Sequence, residues 1–151
     1  MHVFDTMTNA RIEGTGKSIL VVDDDLAIRV LLEAVLKRMN FSVELAEDGG
    51  VGFDKVRSMK FDAVLLDLMM PKVNGYEFLE KVKRDLTPGS MPPHIIVFTA
   101  AGQRGINKIP ANSVCNSILK PFDLEKFIDM IRACVDGGHE RAAATAVQEP
   151  A

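Results

Sequence analysis

A doubly wound α/β fold around a five-stranded parallel sheet is the architecture this sequence predicts, and three observations predict it. Ser18–Val22 (SILVV), Ala63–Leu66 (AVLL) and residues 95–98 (IIVF) are short, largely β-branched apolar runs, the pattern of strands buried on both faces. Segments of helical period alternate with them, as crossover helices between parallel strands do. Polar residues then close each run: Asp23-Asp24-Asp25, Asp67, Thr99 and, after a fifth short run, Lys120.

Each element follows from its own pattern. After the first strand, Ile28, Leu31, Leu32, Val35, Leu36 and Met39 repeat at helical spacing, with Asp25 as the expected N-cap. Residues 41–45 (FSVEL) alternate at period two, which suits a strand near the sheet edge. Residues 50–59 form a weaker helix with Phe53 and Val56 inward; Gly52 within it costs on the order of 1 kcal/mol. A loop with Pro71 and Gly75 precedes a helix carrying Phe78, Leu79 and Val82. The fourth helix, at 102–111 (GQRGINKIPA), holds two glycines and Pro110 and is expected to be weak, short, distorted or absent. Residues 117–119 form the fifth strand, and Leu124, Phe127, Ile128, Ile131 and Val135 place the last helix on the body. Five such units with right-handed crossovers fit the flavodoxin-like order 2-1-3-4-5.

At 151 residues, with 47% hydrophobic and 26% charged side chains, the chain suits a single globular domain and excludes a disordered or fibrous one. The body is expected at 18–136, between a flexible N-terminal segment at 1–17 and a solvated C-terminal tail at 137–151 that opens on Gly137-Gly138. A net charge of −3 argues against nucleic acid as a partner. No apolar run reaches membrane-spanning length, and the N-terminus lacks the core of a secretory signal. Cys115 and Cys134 form no CxxC pair and are read as structural residues of a reduced, cytoplasmic protein.

The strand ends carry the chemistry. In a doubly wound sheet they converge on one crevice, so Asp23, Asp24, Asp67, Thr99 and Lys120 are expected to share one pocket. Three crowded carboxylates repel, and one ammonium does not balance them. All-oxygen donors in a compact acidic site suit a hard divalent ion, Mg²⁺ above all. Beside such an ion Asp67 is placed to act as a nucleophile toward a phosphoryl group, with Lys120 and Thr99 stabilising its oxygens.

The set VVDDD (21–25), LLDLMMPKVNG (65–75), VFTA (97–100) and LKPF (119–122) resembles the receiver domain of two-component response regulators, of the CheY-like, stand-alone type, over residues 18–136. The resemblance implies that Asp67 is the phosphoacceptor, charged by a sensor histidine kinase or a histidine phosphotransfer protein. It implies that Asp24 binds Mg²⁺ directly, that Asp23 supports it, and that the Met69 backbone carbonyl adds a ligand. Thr99 and Lys120 would contact the phosphoryl oxygens, and the Lys120–Pro121 bond would be cis. The chain departs from the family at Ser117, where an aromatic residue usually takes part in the conformational switch. It departs again at Met69 and Ala101, neither of which can orient an attacking water, so slow self-dephosphorylation is expected. With no output module in the sequence, the expected action is docking on a downstream protein target or onward phosphotransfer, as a monomer or weak dimer and not as a classical enzyme.

Other readings fit less well. Gly14-Thr15-Gly16-Lys17-Ser18 lacks the first glycine of a P-loop and precedes its strand. A dehalogenase-type phosphatase would need an acid where Met69 stands. A flavodoxin would not place three aspartates around a flavin phosphate. A degenerate receiver acting as a scaffold is the remaining alternative, kept open by Ser117. His2, His94 and His139 lack metal-ligand spacing.

Overall fold

The computed structural model describes residues 16–85, 92–110 and 112–148, with side chains through Asp136. Most of the expected N-terminal segment therefore lies outside the described residues. The elements are β1 (Ser18–Val22), α1 (Leu26–Arg38), β2 (Ser42–Ala46), α2 (Gly49–Ser58), β3 (Ala63–Leu66), α3 (Gly75–Asp85), β4 (His94–Thr99), α4 (Gly102–Asn107), β5 (Asn116–Leu119) and α5 (Leu124–Gln148). All four strand pairings are parallel, in the order β2-β1-β3-β4-β5.

The alternation of a strand's two faces divides the core. Ile19, Val21, Ala63, Leu65, Ile96 and Phe98 point to one side and pack with α1 and α5. Leu20, Val22, Val64, Leu66, Ile95 and Val97 point to the other and pack with α2 and α3. Both faces are covered, which is why these strands are uninterrupted apolar runs. β2 is one of the two edge strands, and only Ala46 in it is buried.

Side-chain caps set where the helices begin. The Asp25 carboxylate accepts from the Ala27 N–H, as expected, and Asp48 accepts from the Val51 N–H. Asn74 and Glu77 exchange reciprocal bonds of 3.0 Å, a capping box that starts α3 at Gly75. The fourth helix is short, as its composition predicts: six residues, with no side-chain bond at its N-cap Ala101.

One expectation changes. Cys115 and Cys134 are joined in a disulfide, with Cα atoms 6.3 Å apart. Their separation of 19 residues gave no local cue, because it is the β5–α5 crossover that folds the second cysteine back over the first. The bond removes the support that the cysteines lent to a reduced compartment. The helical backbone of α5 continues to Gln148, through the Gly137-Gly138 pair. Glycine lowers helix propensity by about 1 kcal/mol without forbidding the conformation, and the alanines at 142–144 favour it.

Candidate functional site

Parallel register brings the carboxyl ends of β1, β3, β4 and β5 to one edge. Val22 pairs with Leu66, so Asp23 and Asp67 emerge side by side; Thr99 pairs with Leu119, so Lys120 emerges on the neighbouring strand. Main-chain bonds hold these positions: the Asp67 N–H donates to the Val22 carbonyl at 3.0 Å, and the Lys120 N–H to the Thr99 carbonyl at 2.7 Å.

The side chains converge. Carboxylate oxygens of Asp23, Asp24 and Asp67 lie within 4.8 Å of one another, Asp23 and Asp67 buried and Asp24 exposed. Lys120 Nζ donates to Asp23 Oδ2 at 2.7 Å and to Asp67 Oδ2 at 3.4 Å. The other oxygens accept from the backbone, Asp23 Oδ1 from the Asp25 N–H at 2.8 Å and Asp67 Oδ1 from the Met69 N–H at 3.1 Å. Thr99 is fully buried, and its Oγ1 accepts from the Ala101 N–H at 3.0 Å. That leaves the hydroxyl hydrogen to donate elsewhere. The Met69 side chain is 58% exposed, which leaves its backbone as the part that borders Asp67. Ser117 sits half-buried on β5, opposite Val97. The Lys120–Pro121 bond is cis.

Two supporting residues escaped sequence reasoning. Lys120 Nζ stands 4.9 Å from the centre of the Phe98 ring, which packs in turn on Phe127 at 5.4 Å and Phe122 at 6.1 Å. The aromatic face attracts the ammonium and limits where it can go. Arg29 donates to the Asp23 carbonyl at 2.6 Å. Its spacing, one helical turn beyond Asp25, would have pointed to it; nothing in the sequence singles out Phe98 from the apolar run that contains it.

Burial is the leading cause of the electrostatics here. It pushes the Asp23 and Asp67 carboxyls above the usual carboxylate range, against the lowering effect of Lys120 and of the backbone N–H bonds. The charge of Asp24 adds only the smallest contribution at Asp23, so crowding matters less than the sequence alone implies. Burial also opposes the charge on Lys120, but its bonds and attraction to Asp23 and Asp67 prevail and raise its pKa.

A pH dependence follows. The folded state holds protons on Asp23 and Asp67 more tightly than the unfolded state, so their contribution to stability is present at low pH and is lost as pH rises through their raised values. In EDTA, wild type minus Asp67→Asn stability should therefore decline as pH rises above the ordinary aspartate range. Urea unfolding at several pH values measures it, and a difference that grows with pH would contradict the assignment.

Three carboxylates, two of them buried, against one ammonium fit a hard divalent cation and offer nothing to a thiolate- or imidazole-preferring metal. Fold and site together define a doubly wound α/β domain with an acidic pocket at the carboxyl edge of its sheet. The chain belongs to the response regulator receiver domain family, whose model matches residues 19–132. Receiver domains are phosphorylation-dependent signalling switches of two-component systems, not classical enzymes, and bind Mg²⁺ through acidic residues.

The chain is 37% identical to the response regulator MprA of Mycolicibacterium vanbaalenii over 134 residues, 84% of this chain and 56% of that protein. It is 33% identical to the response regulator ArlR of Staphylococcus epidermidis over 118 residues, 77% of this chain and 51% of that protein. It thus spans about half the length of the curated relatives it matches. Among solved structures, a CheY-like receiver domain protein of Methanospirillum hungatei superposes with a TM-score of 0.72 at 29% identity, covering 82% of this chain and 97% of that one. The response regulator TrrA of Thermotoga maritima, in complex with Mg²⁺ and BeF, gives 0.66 at 27% identity, covering 77% and 96%.

Proposed function

We propose that residues 18–136 are a phosphoacceptor switch in which Asp67 takes a phosphoryl group from a histidine kinase or histidine phosphotransfer protein. The observation that carries this reading is the placement of Asp67 among Asp23, Asp24 and Lys120, with its Oδ2 3.4 Å from Lys120 Nζ. A carboxylate oxygen of Asp67 attacks phosphorus, the bond from phosphorus to the donor imidazole breaks, and the electron pair leaves with the imidazole. Lys120, anchored on Asp23, lies where the transferred oxygens gather charge, and the free hydrogen of the Thr99 hydroxyl can donate to one of them. Asp24, Asp23, Asp67 and the Met69 carbonyl would hold Mg²⁺, which when bound neutralises charge on the phosphoryl oxygens. TrrA in its complex with Mg²⁺ and BeF supports this by likeness of fold.

Phosphorylation would then favour one of two conformations that a downstream protein or a second histidine protein distinguishes. Cytoplasmic placement fits a substrate of that kind; among the described residues no helix is long and apolar enough to cross a membrane. Incubation with acetyl phosphate and Mg²⁺, followed by intact mass, tests the reading: one added phosphoryl group supports it, and an unchanged mass leaves the scaffold reading instead.

The lifetime of the modified state follows from two side chains. Met69 and Ala101, two residues beyond Asp67 and Thr99, carry no group that can orient a water, and the Ala101 N–H is already engaged by Thr99 Oγ1. The phosphoryl group should be lost from the isolated protein with a half-life of many minutes. A half-life of seconds in a phosphate-release assay would refute this.

A further inference from the structure

We infer that Tyr76 is the positioning residue through which the Asp67 loop governs helix α4. The inference rests on Asp67 as phosphoacceptor. The Tyr76 hydroxyl donates to the Gly105 carbonyl at 2.7 Å, across 29 residues of sequence, and so ties the start of α3 to the middle of α4. Both ends of this tie are closely held.

On the α3 side, Tyr76 follows Gly75, and a Cβ built at Gly75 would lie 2.6 Å from both the Asp67 carbonyl oxygen and the Leu68 Cα. The Gly75 N–H also donates to the Leu68 carbonyl at 3.1 Å. Backbone against backbone, without an intervening side chain, leaves little slack, so a shift at Asp67 must carry Tyr76 with it. On the α4 side, Gly105 is buried, and a Cβ there would collide with Ala101 and come within 3.1 Å of the Tyr76 hydroxyl oxygen. Glycine leaves room beside the carbonyl for both Ala101 and the tyrosine hydroxyl.

Helix α4 needs such a support. Six residues with two glycines and no side-chain cap have little stability of their own. Its N-terminal approach is tied to the site as well, through the Ala101 N–H on Thr99 Oγ1. The helix therefore has two connections to the pocket, one from β4 and one from α3. The tyrosine ring packs into the same apolar cluster as Ile109 and Val114, which flank the far end of α4. Ser117, on the neighbouring strand, offers no ring for such a contact.

Hydrogen exchange of full-length wild type and Tyr76→Phe, each free and with beryllofluoride plus Mg²⁺, tests the inference. In the free protein Tyr76→Phe should exchange residues 102–108 roughly three- to tenfold faster, the effect of losing one hydrogen bond. The beryllofluoride-dependent change in that segment, present in wild type, should shrink in the variant, while α1 responds equally in both. Gly105→Ala, whose Cβ would crowd both Ala101 and the Tyr76 hydroxyl, should act in the same direction. Unchanged exchange in Tyr76→Phe overturns the inference. Equal acceleration in both states, with the beryllofluoride response intact, overturns it too, since Tyr76 would then be merely structural. So does a wild type whose α4 ignores beryllofluoride. Intact mass after acetyl phosphate, taken on the same samples, reports separately whether Asp67 accepts phosphorus.

Discussion

Asp67→Asn should gain no phosphoryl group from acetyl phosphate and Mg²⁺ under conditions that modify the wild type fully, because the amide has lost its nucleophilic oxygen. The same variant should be more stable than wild type in EDTA at neutral pH, by on the order of 1 kcal/mol. Asp67 is buried and its carboxyl is pushed up chiefly by that burial, so ionising it at neutral pH costs folding free energy. An amide oxygen keeps the bond from the Met69 N–H, and Lys120 keeps its shorter partner Asp23 at 2.7 Å. The two results pull in opposite directions, and that makes them diagnostic: a residue that served packing alone would lose stability on substitution. Intact mass and urea unfolding on one preparation give both readouts. Modification of Asp67→Asn at the wild-type rate would transfer the acceptor role to another side chain.

The parts of this fold that were legible in the sequence are those where local pattern and global packing agree. The runs at β1, β3 and β4 are apolar because both faces of each strand are covered, so composition alone located them to within a residue or two. The site followed from topology: once five parallel strands are granted, the residue after each run must stand at the common edge, and Asp23, Asp67, Thr99 and Lys120 do. What stayed hidden depends on which face a side chain takes or on contacts that cross between elements. Phe98 beneath Lys120 is one apolar residue among four in a row until the pleat assigns it a face. The Cys115–Cys134 bond and the Tyr76–Gly105 tie join segments that nothing local relates.

Lys120→Met should be the most damaging single change at the site in metal-free buffer, lowering stability by about 3 kcal/mol at neutral pH. Methionine matches the four-atom stem of the lysine and removes the ammonium. Asp23 and Asp67 then remain buried with no cation between them, the situation in which half of a buried pair costs more than the pair contributed. Three further results separate this cause from a general packing defect. The loss should shrink as pH falls, because the two carboxyls, already raised, can take up protons. It should shrink on adding Mg²⁺, since a cation bound only by the folded state stabilises that state. And it should shrink in the Lys120→Met/Asp67→Asn double variant, which has one buried charge fewer. Phosphorylation should recover in none of these, because the cation that meets the transferred oxygens is gone; a drop of about 10²–10³ in rate is the scale for removing one such group. A penalty independent of pH, Mg²⁺ and Asp67 would mean that Lys120 is held by its stem and the aromatic ring, with the carboxylates incidental to it.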